Sequence, residues 1–354
     1  MIKFVFLYTE IAGYFLACVQ KLAEMKGVQV HVFRYPVNKE APFDFPEIQN
    51  VFYYERKNFS AESMLETISK IHPDFIYCAG WIDKDYLKII KACSGKIPTV
   101  LGFDNKWKNS FRQNIATVIA PFYLTNNFSH CFVPGEKQKK YASKLGFNSD
   151  KILTGLYSAD FELFYKHYEL NAAVKKNKFP KRFLYAARYV KHKGIEDLWK
   201  AFIELHEENP NEWELWCIGT GDVKPVSHPK IKHFGFIQPE NLGEIISQTG
   251  VYVLPSHFEP WGVSLHEFAA AGFPLICSDE VGANENFLEA GKNGFLFKSG
   301  NITELKSCLK NTISLQEKDL NKMSEVSVEK AKQITPGGWA NILFAVCTKN
   351  QISG

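Results

Sequence analysis

Residues 251–297, VYVLPSHFEPWGVSLHEFAAAGFPLICSDEVGANENFLEAGKNGFLF, constrain the fold more than any other stretch. The segment opens on a short β-branched and aromatic apolar run, the pattern of a buried strand. Pro255 and Ser256 stop that run, and Pro260 and Gly262 shape a loop. Ser264, with Glu267 three residues later, has the spacing of a capping box, so a helix is expected from there through Ala271. Gly272 and Pro274 end it, and residues 275–277 read as the next buried strand. Strand, glycine loop, helix, strand is the right-handed crossover unit of a parallel sheet. Such sheets bind ligands at the carboxyl ends of their strands, where helix N-termini present backbone N–H groups to anions. Two carboxylates frame that position. Glu259, in the loop, can reach a polar ligand beside the helix start. Glu267, about one turn in, can accept hydrogen bonds from a diol such as a ribose. Equally, Glu267 can close the capping box while Glu259 is solvated.

The same alternation runs through most of the chain. Strands are expected over 3–8, 28–33, 51–54, 75–78, 98–102 and 130–133, with helices in 11–25, 61–71, 84–92 and 136–144 and a proline-marked loop over 36–46. Residues 160–180 are charged, end on Pro180 and read as a linker. Strands then resume at 183–187, 213–218 and 231–234, with helices at 195–207, 302–313, 319–333 and 339–347. Repeated βα alternation argues an open parallel sheet. A chain of 354 residues is too long for one ordinary core. We therefore expect two domains, 1–160 and 161–335, with a C-terminal helix in 336–354 packing back toward the first.

Composition narrows the class. The chain is 45% apolar and 23% charged, as in a soluble globular protein. No apolar run approaches the ~20 residues of a membrane-spanning helix, and the N-terminus reads as a first strand rather than a leader. The eight cysteines show no CxxC or Cys/His spacing, so free thiols in a reducing cytoplasm are expected, with no metal site. Residues 1–160 hold 20 Lys and Arg against 15 Asp and Glu, and the remainder 22 against 23. That excess is too small to argue nucleic-acid binding.

Arg188 and Lys193 follow the first strand of the second half, in AARYVKHKGIEDL, with Gly194 opening the next helix. Two cations beside a helix N-terminus suit a pyrophosphate, and they equally suit a solvated basic turn. Gly219 and Gly221 form a second strand-end loop that lets backbone approach a ligand. Their pattern is not a dinucleotide fingerprint, and no G-x-x-x-x-G-K-[ST] occurs.

Together these motifs resemble the retaining glycosyltransferases of family 4, which have the GT-B fold: two Rossmann-like, doubly wound α/β domains with a cleft between them. The resemblance covers most of the chain and is densest over 183–297. It implies a UDP- or GDP-sugar donor and no metal or other cofactor. Arg188 and Lys193 would take the phosphates and Gly219 and Gly221 the family's glycine turn. The pair Glu259 and Glu267 forms its E-x7-E motif, with Glu259 on the donor sugar and Glu267 on the ribose. The amides of Gly262, Val263 and Ser264 would approach the pyrophosphate. Phe236 and Ile237, in HFGFI, would lie near the base, and Gly13 near the donor phosphate or acceptor. The chain departs from the family in three places. It has Ala12-Gly13 for a double glycine, and Asn286 where an acid falls. It has LGFDNKW where many members carry a His, leaving Asp104 as the polar candidate on the acceptor side.

The expected activity is glycosyl transfer to a saccharide or lipid-linked acceptor in building a cell-surface glycan. The alternatives are an inactive nucleotide-sugar-binding subunit and a non-hydrolysing sugar-nucleotide epimerase. Asp104 can orient the acceptor or cap the next helix. Downstream, Lys106, Trp107, Lys108, Phe111 and Arg112 interleave bases with aromatics, and positions 111, 115, 118, 119 and 122 share one helical face. That face can pack on the first domain's sheet. It can also lie at the inner face of a cell membrane, Trp and Phe at headgroup depth and cations near anionic lipid.

Overall fold

The computed structural model describes residues 1–37 and 46–352, so most of the 36–46 loop lies outside the described residues. The chain divides into two units, residues 1–158 with 334–354, and residues 159–333.

The first unit runs β1 (Ile2–Leu7), α1 (Gly13–Ala23), β2 (Val28–Arg34), β3 (Val51–Glu55), α2 (Ala61–Ile71), β4 (Phe75–Ala79), α3 (Lys84–Cys93), β5 (Thr99–Gly102), α4 (Phe111–Asn127), β6 (His130–Val133), α5 (Glu136–Lys144) and β7 (Ile152–Thr154). Its strands form one parallel sheet in the order β3-β2-β1-β4-β5-β6-β7. Phe4 stands beside Val30 on one side and Phe75 on the other. Alternate side chains of β1 serve opposite faces: Phe4 and Phe6 enter one core, Val5 and Leu7 the other. Both faces are covered, which is why these strands read as continuous apolar runs.

The second unit runs α6 (Phe161–Asn177), β8 (Arg182–Ala186), α7 (Ile195–Glu208), β9 (Glu214–Ile218), β10 (Ile231–His233), α8 (Gly243–Gln248), β11 (Val251–Leu254), α9 (Val263–Ala270), β12 (Leu275–Ser278), α10 (Asn284–Phe287), β13 (Gly294–Phe297), α11 (Ile302–Ile313) and α12 (Glu317–Ala331). Its sheet is also parallel, ordered β10-β9-β8-β11-β12-β13. Helix α13 (Pro336–Ile352) returns to the first unit. There the Trp339 indole N–H donates to the Leu156 carbonyl at 3.0 Å, and its ring stacks on Phe6 at 5.8 Å.

Several expectations are corrected. Residues 161–177 are not a linker but helix α6, capped by the Asp160 carboxylate, which accepts from the Leu163 amide at 3.2 Å. Phe164 of α6 is buried edge-on to Phe268. The helix was obscured because its apolar stripe is so narrow. Strand β7 and helix α8 were also unforeseen; they have three and six residues, too few to show a period. The capping box at Ser264 is absent. Helix α9 starts from Gly262, in the left-handed region at φ 93°, and its start has no side-chain cap. The Ser264 hydroxyl instead accepts from the Tyr252 hydroxyl at 2.8 Å. The described cysteines carry free thiols.

Candidate functional site

Both sheets are doubly wound, so each has a point where the strand order reverses and the chain leaves neighbouring strands in opposite directions. In the second unit that point lies between β8 and β11, which pair directly. The loops leaving those strands carry Arg188 and Lys193 on one side and Glu259 on the other. His257 N donates to the His192 carbonyl at 2.8 Å, tying the loops together. The Lys193 ammonium donates to Glu259 Oε2, and the two side chains are only 15% and 12% exposed. Arg188 is exposed, and the Tyr185 hydroxyl donates to its carbonyl at 2.9 Å, holding the backbone there.

The start of α9 faces the same edge. Glu259 bridges Val281, and the Gly282 amide donates to the Glu259 carbonyl at 3.0 Å, so the loop is braced from β12's side. A Cβ on Gly262 would crowd Glu259 Cγ and Val281 Cγ1, at 2.9 and 3.1 Å, and the left-handed backbone there also favours glycine. Val263 and Ser264 are in the first turn of α9, where backbone N–H groups have no intrahelical partner and the helix dipole is positive. The geometry therefore sets two cations and one helix start beside the switch point, a place suited to a diphosphate.

Glu267 sits on α9 beyond these amides. Burial, and then the neighbouring Asp160 carboxylate, push its carboxyl up to about 8. A protonated acid both donates and accepts, which matches a pair of sugar hydroxyls as well as a carboxylate does.

Gly219 and Gly221 follow β9 and are held close to the chain's own backbone. A Cβ on either would overlap the chain's own backbone, at the Ala187 and Tyr189 carbonyls. The Tyr189 amide donates to the Thr220 carbonyl at 2.8 Å, so this turn is packed beneath the Arg188 loop and supports it. Phe236 and Ile237 are half-buried in the loop after β10, at the sheet's edge strand.

The remaining candidates belong to the first unit. Gly13 is the first residue of α1, which follows β1. Asp104 follows β5 and lies in a nest of phenols. The Tyr157 hydroxyl donates to Asp104 Oδ2 at 3.4 Å, and the Tyr14 ring meets Tyr157 edge-on at 5.6 Å. Asp104 does not cap the following helix: that cap is Ser110, which accepts from the Gln113 amide. Burial first, and then Asp104, hold the Tyr157 hydroxyl well above the usual phenol range, so it stays a donor. Tyr14 stands in an apolar run that reads as core, and Tyr157, in TGLYSAD, carries no local sign of its contact with Asp104. A second omission is His257, whose Nε2 lies 2.6 Å from Asp197 Oδ2 on α7. Nothing in the spacing of those two residues points to their pairing. Among the described residues no three His, Cys, Asp or Glu side chains gather as a metal site.

Residues 168–330 match the family model for glycosyl transferases group 1. That match lies within the second unit and covers less than half of the chain. The chain is 36% identical over 120 residues to the GtfA subunit of a UDP-N-acetylglucosamine–peptide N-acetylglucosaminyltransferase of Streptococcus pneumoniae, covering 32% of this chain. The match spans about a quarter (24%) of that relative's length. A Campylobacter jejuni N,N'-diacetylbacillosaminyl-diphospho-undecaprenol alpha-1,3-N-acetylgalactosaminyltransferase is 24% identical over 310 residues, 81% of this chain and 76% of its own. Among solved structures, sucrose-phosphate synthase from Thermosynechococcus elongatus superposes with a TM-score of 0.72 at 16% identity, over 100% of both chains. The two parallel-sheet units thus have the GT-B fold, and the residues that match the group 1 model include the paired Lys193 and Glu259.

Proposed function

We propose that this protein is a retaining glycosyltransferase that moves a sugar from a nucleoside-diphosphate donor to a hydroxyl of a saccharide or lipid-linked acceptor. The observation that carries the reading is the Lys193–Glu259 pair, set with Arg188 beside the start of α9 at the switch point of a group 1 domain. The named relatives act on a UDP-sugar and on a diphospho-undecaprenol acceptor, which supports both halves of the reaction.

In this reading Arg188, Lys193 and the first amides of α9 take the diphosphate, and Glu267 takes the ribose. Glu259 lies against the donor sugar. The bond from the sugar's C1 to the phosphate oxygen breaks with its electrons going to that oxygen. The growing charge falls among the two cations and the helix start, which stabilise it electrostatically with no metal required. The acceptor oxygen bonds to C1 on the same face, and its proton passes to the departing phosphate. Asp104, held by Tyr157, orients the acceptor hydroxyl. The setting is cell-surface glycan synthesis on the cytoplasmic side of a membrane.

Incubation with a panel of UDP- and GDP-sugars tests this. Release of nucleoside diphosphate with formation of a product of unchanged anomeric configuration is expected. Binding without turnover would favour an inactive subunit, and interconversion of the nucleotide sugar itself an epimerase.

A further inference from the structure

Asp197 stands four residues after Lys193, in the first turn of α7, and His257 stands two residues before Glu259, in the loop leaving β11. Their side chains meet, Nε2 to Oδ2, at 2.6 Å. The same two segments touch at two other points. The His257 amide donates to the His192 carbonyl at 2.8 Å. Gly194, at φ 68°, lies so close to Pro255 that a Cβ there would stand 2.1 Å from the Pro255 carbonyl oxygen. Lys193 is thus flanked on both sides by residues seated on the segment that carries Glu259. From the other direction, the Ser299 hydroxyl donates to the His257 carbonyl at 3.3 Å, and the Ser299 amide donates to Asp279 Oδ1 at 2.9 Å.

These contacts remove different freedoms. The backbone bond and the close approach at Gly194 join the segments at residues 192–194, and two segments joined there can still swing about that point. The His257–Asp197 contact adds a second point inside α7, away from the first, and stops the swing. The two side chains are 36% and 22% exposed, and ion pairs this open to water contribute little to overall stability. The effect of the contact therefore falls on local geometry. Lys193 and Glu259 have long side chains, and their meeting depends on where the two backbones stand. Neutral imidazole donates through Nε2–H just as imidazolium does, so the contact requires a donor at that atom rather than a charge.

We propose that His257 and Asp197 are positioning residues for Lys193 and Glu259, holding the two loops of the switch point at the separation the diphosphate site requires. The consequence for turnover rests on the transferase reading; the geometric consequence does not. The first measurement is the coupling of Lys193 to Glu259, from urea unfolding of the full chain as wild type, Lys193→Met, Glu259→Leu and the double variant. Side chains in direct contact couple by about tenfold in the unfolding constant. The same cycle built on His257→Ala or on Asp197→Ala should give less than about twofold, and on His257→Gln, whose amide N–H takes the place of Nε2–H, about tenfold again. The second measurement is kcat per nucleoside-diphosphate site, with sites counted by calorimetry so that any loss of folded protein does not enter. His257→Ala and Asp197→Ala should each lower it by about tenfold or more, within the ~100-fold scale of a 1 Å misplacement, and His257→Gln should stay within about twofold of wild type. In the Lys193→Met, Glu259→Leu background His257→Ala should lower it no further, because the residues it acts through are gone. Coupling that is absent from the wild type or survives both alanine changes would overturn the proposal. So would a loss of turnover that glutamine fails to rescue, or one that adds to the double variant. A chain that shows the change in coupling and transfers sugar from no donor would leave the positioning role standing and remove the transferase reading alone.

Discussion

The Lys193 ammonium is paired with the Glu259 carboxylate across the two strands that flank the switch point of the second sheet, with both side chains largely shielded from water. A pair in such a place has two separable consequences, one for stability and one for chemistry. Taking away one partner leaves a poorly solvated charge, a change that costs about 3–5 kcal/mol when burial is complete and less here. Taking away both leaves none.

Lys193→Ala is therefore expected to lower both urea resistance and glycosyl transfer. Lys193→Met with Glu259→Leu should recover most of the stability while transfer remains at least ~100-fold below wild type, the scale for losing one preorganised partner of a developing anion. Arg188 is exposed, so Arg188→Ala should give a similar loss of turnover with unchanged unfolding. A double variant that transfers sugar normally would remove Lys193 and Glu259 from the mechanism.

Glu267 makes the stability of the ligand-free protein depend on pH. Its carboxyl is raised from 4.5 to about 8 in the folded chain. Below about 4.5 both folded and unfolded chains hold the proton, and no penalty arises. As pH rises toward 8 the unfolded chain releases that proton and the folded chain keeps it, so stability falls across this window. Glu267→Gln keeps a neutral group of the same shape. Denaturant titrations should show a flatter pH dependence for Glu267→Gln and higher stability than wild type at pH near 8. Calorimetry should show nucleoside diphosphate binding weakened more by Glu267→Ala than by Glu267→Gln. Unchanged affinity in the alanine variant would rule out the ribose role.

The Tyr157–Asp104 contact predicts acceptor effects without donor effects. Tyr157→Phe removes one hydrogen bond to the carboxylate and leaves the ring packed. Losing a bond to a charged group is worth about 1.5 kcal/mol, roughly tenfold. The expected outcome is about a tenfold fall in kcat/KM for the acceptor, a larger fall for Asp104→Asn, and an unchanged KM for the donor. Full activity in a stable Asp104→Asn protein would show that the phenol nest is structural.

Lys175 is a weak point in the second unit. It is 6% exposed, and its ammonium has no hydrogen-bond partner among the described residues. It lies 4.2 Å from the centre of the Phe273 ring. Burial lowers it from 10.5 to about 7. As pH falls from about 10.5 toward 7 the unfolded chain gains a proton that the folded chain refuses, so stability drops over that range. Lys175→Met should raise stability at neutral pH by about 2 kcal/mol and flatten its rise toward alkaline pH. Equal stability of the two proteins at neutral pH would show that water or a side-chain movement already satisfies the ammonium.

Most of the strands and their order of appearance were legible along the chain because they are local. A run such as VYVL at 251–254 is apolar at every position only when both faces of its sheet are covered, and that requirement leaves its mark on the strand itself. The strand-end positions of Arg188, Lys193 and Glu259 were legible for the same reason, since each lies in a loop leaving such a run. What tertiary structure decided depends on neighbours far apart in sequence. Helix α6 looks charged along the chain and becomes an element because Asp160 caps it and Phe164 meets Phe268. Ser264 has capping spacing, yet the Tyr252 hydroxyl claims it from a neighbouring strand. Gly219 and Gly221 meet a packing requirement that spacing does not show, because the carbonyls of Ala187 and Tyr189 leave no room for a Cβ there. Nothing local distinguishes the outward apolar face of α4 from an ordinary core stripe, because periodicity shows that a helix has two faces and only packing decides which one meets water.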